Sequence, residues 1–262
     1  MEVIIDGNNK GKSFTTIIKY LREFTDYITF RTKEEGIYVQ GMDGSQVCLY
    51  EIRLNKDWFQ SYEYTNSDFT EISVSTKILF LILNIRQDKQ IITMRYQGEK
   101  LEIEFTGEKI FDKYFEIPTM DINNEQMNVP AVEYDAEFHM ESTIFSNLMG
   151  QLKIFDEKFK IKCNEENITM DAEGHEGRMK VDIDIDDLDE YTINEGETIE
   201  LSYSLVFINT ISEFSSISNE TMISISKNFP LKVLYKLDEN YNDDDKENSN
   251  YLEFHIAPAI EE

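Results

Sequence analysis

One pattern occurs twice in this chain at a fixed distance. Ile28-Thr29-Phe30-Arg31-Thr32, the turn Lys33-Glu34-Glu35-Gly36 and Ile37-Tyr38-Val39-Gln40 come first. Phe159-Lys160-Ile161-Lys162-Cys163, the turn Asn164-Glu165-Glu166-Asn167 and Ile168-Thr169-Met170-Asp171 return later. From Ile37 to Ile168 is 131 residues, half of 262. The same step carries Phe14, Ile17, Ile18 and Leu21 onto Phe145, Leu148, Met149 and Leu152. The first four are the i, i+3, i+4, i+7 stripe of an amphipathic helix, predicted over residues 13–24. A helix and a hairpin repeated together mean two copies of one fold.

Each half holds a second module of the same kind. Ile72-Ser73-Val74 leads into a predicted helix over 76–84, with Ile78, Leu81, Ile82 and Ile85 on one face. Strands follow over 91–96 and 101–105, joined at Gln97-Gly98-Glu99. In the second half, Ile199-Glu200-Leu201 leads to a helix near 205–214 and strands over 222–226 and 231–235. The expected class is α+β: four modules, each a helix backed by mostly antiparallel hairpins. Pro118 and Pro130 frame a polar stretch that reads as an extended connector. The expected domains are therefore 1–118 and 135–262, with the connector over 119–134. Residues 241–250 read as a mobile polar surface loop, and 182–190 as a strand followed by an acidic loop.

Catalysis finds no foothold. His139, His175 and His255 lack metal-ligand spacing. Gly41-Met42-Asp43-Gly44 is not a phosphate loop, because no Lys-Ser or Lys-Thr follows. Cys48 and Cys163 sit in strand-like runs of different halves and read as buried thiols. The expectation is a non-enzymatic protein with no catalytic residue, metal or cofactor. The longest apolar run, Ile78 to Leu83, is too short to span a bilayer, and the start lacks the pattern of a signal peptide. A soluble intracellular protein is expected.

Three segments, in this order and over the whole chain, resemble the eukaryotic-type DNA sliding clamp, the proliferating cell nuclear antigen family. They are Gly41-Met42-Asp43-Gly44-Ser45-Gln46-Val47-Cys48-Leu49, the connector from Met120-Asp121-Ile122 through Glu125-Gln126-Met127-Asn128-Val129-Pro130, and the tail Leu252 to Glu262 with Ala257-Pro258-Ala259-Ile260-Glu261-Glu262. The resemblance implies a DNA clamp fold with two similar domains per subunit. Three subunits would close a six-domain ring, helices lining the hole and sheets outside. Such a homotrimer encircles double-stranded DNA without sequence preference. As a processivity factor it tethers DNA polymerase and other replication and repair proteins, and a clamp loader is an expected partner; no membrane is. The alternatives are a subunit of a heterotrimeric checkpoint-type clamp, or an acidic interaction module with no DNA role. A cellular protein of this kind would work in the nucleus, a viral one in a replication compartment of the host cell.

The resemblance also distributes roles. Lys12, Lys19, Arg22, Lys77, Arg86, Lys89 and Lys153 would face DNA phosphates. Met42, Gln46, Val47, Leu49, Met127, Val129, Pro130, Tyr134, Pro230, His255, Ile256, Ala257 and Pro258 would receive client peptides carrying short hydrophobic docking motifs. Gln46 stands where the family has a His, and His255 where a Tyr is usual. The edge strands 109–118 and 176–184 would join subunits, Phe115 packing across the joint and Arg178 and Lys180 meeting carboxylates such as Glu116. A net charge of -27, from 25 basic and 52 acidic residues, opposes nucleic acid only if the charges are mixed. Screening acts within about 8 Å, and a helix layer on a sheet spans about 10 Å. Outer carboxylates would thus be screened from DNA inside. The second half lacks this basic face: Asn147, Gly150, Val206 and Glu213 stand at positions that are often basic in the family.

Overall fold

A computed structural model describes residues 1–64, 70–109, 111–122, 125–238 and 241–259. Connector residues 123–124 and tail residues 260–262 lie outside them. The chain forms two compact units. Unit 1 comprises Met1–Gly44, Tyr50–Met127 and Leu237–Leu252; unit 2 comprises Ser45–Leu49, Asn128–Lys236 and Glu253–Glu262.

In unit 1, β1 (Glu2–Ile5) runs into α1 (Asn9–Leu21), then β2 (Tyr27–Lys33), β3 (Gly36–Met42), β4 (Cys48–Asn55, in this unit from Tyr50), β5 (Ser61–Glu63) and β6 (Thr70–Ser75). There follow α2 (Thr76–Leu83), β7 (Ile91–Tyr96), β8 (Lys100–Thr106) and β9 (Lys113–Pro118). One sheet has the order β5-β1-β7-β8-β9, and the other strands lie in the order β4-β3-β2-β6. In unit 2 the elements are β10 (Ala136–Glu141), α3 (Ser142–Leu152), β11 (Lys158–Cys163), β12 (Asn167–Gly174), β13 (Gly177–Asp184), β14 (Glu190–Ile193) and β15 (Ile199–Ser204). Then come α4 (Leu205–Ser212), β16 (Glu220–Ile225), β17 (Leu231–Lys236) and β18 (Tyr251–Ile256, in this unit from Glu253). Its strands are ordered β13-β12-β11-β15 and β14-β10-β16-β17-β18. The fold is α+β, as expected. The repeat survives in the elements: β2 and β11 begin 131 residues apart, and so do β3 and β12.

The core of unit 1 forms where α1 lies on its strands. Phe14, Ile17, Ile18 and Leu21 are all buried, and the Phe14 ring packs on Phe30 of β2 at 6.5 Å. In unit 2, Phe145, Met149 and Leu152 are buried while Leu148 is half-buried. Burying such a side chain is worth roughly 1.5–3 kcal/mol, so each stripe fixes which face its helix turns inward. Cys48 and Cys163 are buried thiols not joined in a disulfide, and burial pushes Cys163 up to about 12.

Three elements differ from expectation. Helix α1 starts at Asn9, not residue 13, because the Asp6 carboxylate accepts from the Asn8 N–H (2.7 Å) and the Asp6 carbonyl from the Gly11 N–H (2.9 Å). On α2 the buried side is Thr76, Leu79, Phe80 and Leu83; Ile78, Leu81 and Ile85 are 44%, 48% and 52% exposed. This short helix is apolar all round, so periodicity cannot choose its inner face. The start does: Ser75 Oγ accepts from the Ile78 N–H (3.4 Å), and the Thr76 N–H donates to the Asp26 carbonyl (2.9 Å). Residues 241–250 end anchored, with Ser249 and Asn250 buried and Asn250 Oδ1 accepting from the Asn55 N–H at 2.6 Å.

Unit 2 buries a histidine among carboxylates. His139 Nδ1 lies 3.3 Å from Glu220 Oε1 and 3.9 Å from Glu190 Oε2, and Nε2 lies 3.7 Å from Glu137 Oε1. The neighbouring carboxylates of Glu137 and Glu220 raise His139 above 6.5 against the cost of burial and the nearby Lys236. In turn His139, with Ser224 and Lys232, holds Glu137 at about 2 against the cost of burial. The raised imidazole stabilises fully below 6.5 and loses its effect as pH rises through its folded value; Glu137 stabilises above 4.5 and loses it as pH falls toward 2. Melting of the protein and of its H139Q variant, followed by circular dichroism, is expected to differ most between pH 4.5 and 6.5. The loss there is about 1.5–3 kcal/mol, and a difference independent of pH would refute the coupling.

Candidate DNA-facing and partner-docking surfaces

Helices α1 and α2 of unit 1 lie side by side, the Arg22 guanidinium resting 4.2 Å over the Phe80 ring. Lys12, Lys19, Arg22, Lys77 and Lys89 are exposed on these helices and the turn after α2. Their internal ties are weak. Lys12 sits 3.6 Å from the exposed Asp88, Arg22 Nε 3.1 Å from its neighbour Glu23, and Lys19 Nζ is 4.4 Å from the Tyr20 ring centre. Exposed pairs of this kind are worth about 0–1 kcal/mol, so phosphates can replace them at little cost. Arg86 is placed differently. It is half-buried, and Nη1 donates to the carbonyls of Gly7 (2.9 Å), Gln87 (3.1 Å) and Gln90 (3.1 Å). Desolvation lowers its pKa. It staples the turn after α2 to the turn before α1.

The helix layer of unit 2 has another character. Neither α3 nor α4 contains a charged residue, and Lys153 follows α3 as an exposed cap. Ile144, Ile154 and Val206 are exposed instead. The two units repeat their apolar stripes but not their charges.

Each unit ends a sheet in an edge strand beside exposed apolar groups. β9 is the outer strand of its sheet, and Lys113 Nζ donates to the Ile85 carbonyl (2.8 Å), tying it to the end of α2. β13 is likewise outermost. Gly174, where a Cβ would stand 2.2 Å from the Phe155 carbonyl oxygen, lets the β12–β13 hairpin approach the end of α3. The strand pleat decides which side chains show: Phe115 packs on Phe105 (5.4 Å) within unit 1, and it is Tyr114 that stands 71% exposed. Glu116 pairs with Lys100 (2.6 Å), Arg178 with Asp171, and Lys180 with Asp182 (2.8 Å). The sequence reasoning missed Ile78, Leu81, Ile85 and Tyr114. The all-round apolarity of α2 was the available signal.

The docking residues divide between the units. In unit 2 the Ala257 N–H donates to the Val47 carbonyl (2.9 Å) and the Ala259 N–H to the Ser202 carbonyl (2.7 Å), which fixes the tail after β18. Leu49, His255 and Ile256 are buried, His255 Nε2 lying 2.8 Å from Glu253 Oε1. Gln46, Pro130, Pro230 and Pro258 are exposed, and Val47, Val129, Tyr134 and Ala257 half-buried. Lys232 Nζ stands 5.0 Å from the centre of the Tyr134 ring, and burial raises the Tyr134 hydroxyl pKa. Phe229, exposed beside Pro230, is a further apolar side chain that the sequence pattern did not single out. In unit 1, Met42 is half-buried and Met127 exposed. The buried Gln40 clasps Met127: its amide nitrogen donates to the Met127 carbonyl (2.9 Å) and its amide oxygen accepts from the Met127 N–H (2.8 Å).

Two family models match the chain. The proliferating cell nuclear antigen N-terminal domain matches residues 8–128, and the proliferating cell nuclear antigen C-terminal domain matches residues 128–244.

The Gln40 clasp is one anchor of the connector on unit 1, beside the Met120 N–H bond to the Ser73 carbonyl (2.9 Å). Gln40→Leu is expected to raise amide hydrogen exchange at Met127 about thirty-fold, since two hydrogen bonds of ~1 kcal/mol are lost. Protection in β7 should stay unchanged; unaltered exchange at Met127 would remove the clasp's role.

Proposed function

The chain belongs to the proliferating cell nuclear antigen family of sliding clamps, and from that premise we propose that it is a DNA polymerase processivity factor closing as a homotrimeric ring on duplex DNA. The observation that carries the DNA role is the row Lys12, Lys19, Arg22 and Lys77, exposed on adjoining helices of a chain whose net charge is -27. Cations concentrated on one layer attract phosphates, while the acidic remainder repels DNA elsewhere. Contact through mobile lysines to the backbone alone is blind to sequence and permits sliding. Unit 1 supplies most of it, because α3 and α4 carry no cation.

Ring closure draws support from the two edge strands. Unit 1 offers β9 with Tyr114, Ile78, Leu81 and Ile85, and unit 2 offers β13 with Ile154. Complementary edges on opposite units join head to tail, and such contacts close rings. Covering each half-exposed side chain is worth about 1 kcal/mol, and pairing the edges satisfies backbone groups that otherwise invite aggregation. Clients with short hydrophobic motifs would dock on the surface bearing Val47, Phe229, Pro230 and Pro258. The buried His255 and Ile256 support that surface from within. The protein would work where DNA is replicated, in the nucleus or, for a viral protein, in the host's replication compartment.

Native mass measurement is expected to give three chains, and Ile78→Glu with Tyr114→Lys to give one. A sole single-chain species of the unaltered protein at micromolar concentration would sink the homotrimer; assembly only with other chains would favour the heterotrimeric alternative. Lys19→Glu with Arg22→Glu should lower polymerase stimulation about ten-fold at moderate salt, reversing two phosphate contacts. Unchanged stimulation would mean the row is ordinary surface.

A further inference from the structure

Unit 1 holds a cavity of about 200 Å³ whose lining has no part in the function above. Arg31, Lys33 and Arg53 enter it from β2 and β4, with Tyr38 of β3 and the exposed carboxylate residues Glu35 and Glu247. Three cations in one cavity are unexpected in a chain with 25 basic and 52 acidic residues. Arg31 is 2% exposed and holds Glu71 through Nε at 3.0 Å. Arg53 has no ion pair among the described residues. Its guanidinium lies 5.5 Å from the Tyr38 ring centre, and Nη1 donates to the Glu247 carbonyl (3.2 Å). Its Nε is buried and meets no hydrogen-bond acceptor among the described residues.

Leaving a charged donor buried and unmet carries an uncompensated desolvation cost. The Tyr38 ring and the Glu247 carbonyl serve other parts of the guanidinium, and the unmet Nε–H is served when an anion enters. The strands hold the donors in place: the Tyr38 hydroxyl is engaged by Glu51, which turns the ring toward Arg53 as a fixed wall. Guanidinium donors set in this way match oxyanions, and a phosphate group brings three acceptor oxygens to a lining in which the cations Arg31, Lys33 and Arg53 outnumber the carboxylates of Glu35 and Glu247.

We propose that the cavity lined by Arg31, Lys33 and Arg53 is a phosphate-binding site, filled by free phosphate or by a phosphomonoester on a docked peptide. It stands whether or not the chain encircles DNA. The Arg53 Nε–H resonance, followed by nuclear magnetic resonance, reads the unmet donor directly. Inorganic phosphate and a neutral phosphoserine peptide are titrated separately, with sodium chloride at matched ionic strength as control. A saturable shift of this resonance is expected with one or both phosphates and none with chloride; the tighter ligand identifies the source. By calorimetry, Arg53→Gln should weaken binding about ten-fold or more, the loss of one charged hydrogen bond. The exposed Lys33→Gln should weaken it about three-fold without affecting the fold, because it removes charge but no buried contact. An equal shift with chloride, no saturation with either phosphate, or full affinity in both variants would overturn the site.

Discussion

The packing of one apolar helix stripe onto its strands is the interaction on which the rest depends. Phe14, Ile17, Ile18 and Leu21 turn one side of α1 into the core. That alone sends Lys12, Lys19 and Arg22 to the opposite side. With 3.6 residues per turn, a stripe this regular leaves a continuous outer face. Four side chains buried at about 1.5–3 kcal/mol each, about 6–12 kcal/mol together, outweigh any surface ion pair these cations make. The charge pattern is therefore free to vary without cost to the fold.

Unit 2 illustrates that freedom. Phe145, Met149 and Leu152 repeat the stripe and the elements keep their spacing, yet α3 and α4 carry no charge. Core positions are held by close packing, which tolerates little change in volume. Exposed positions are held only by what they meet outside. A duplicated fold thus diverges first in its outer chemistry, and here it leaves a basic helix layer in one unit and a neutral one in the other.

Arg86 and His255 show why residue type alone does not assign a role. Arg86 follows α2 as a cation within reach of the basic row, but its guanidinium is committed to three carbonyls. His255 belongs to a tail segment that reads as a docking wall, but the pleat of β18 turns it inward beside Glu253. Phe115 and Tyr114 divide in the same way on β9, one packed on Phe105 and one exposed. In strands, neighbouring residues face opposite sides, and the phase of that alternation belongs to the sheet.

The sequence by itself determined the duplication, the α+β class, the position of α1's buried face and the uneven distribution of cations. These depend on local periodicity and composition, which a single chain displays in full. Only the tertiary structure decided which of α2's apolar sides is buried, since Ser75 and the Asp26 carbonyl orient that helix from outside its own pattern. It also decided that Arg31, Lys33 and Arg53 share one cavity. Cations on separate strands converge through sheet register, and register is a property of paired strands that no single segment carries.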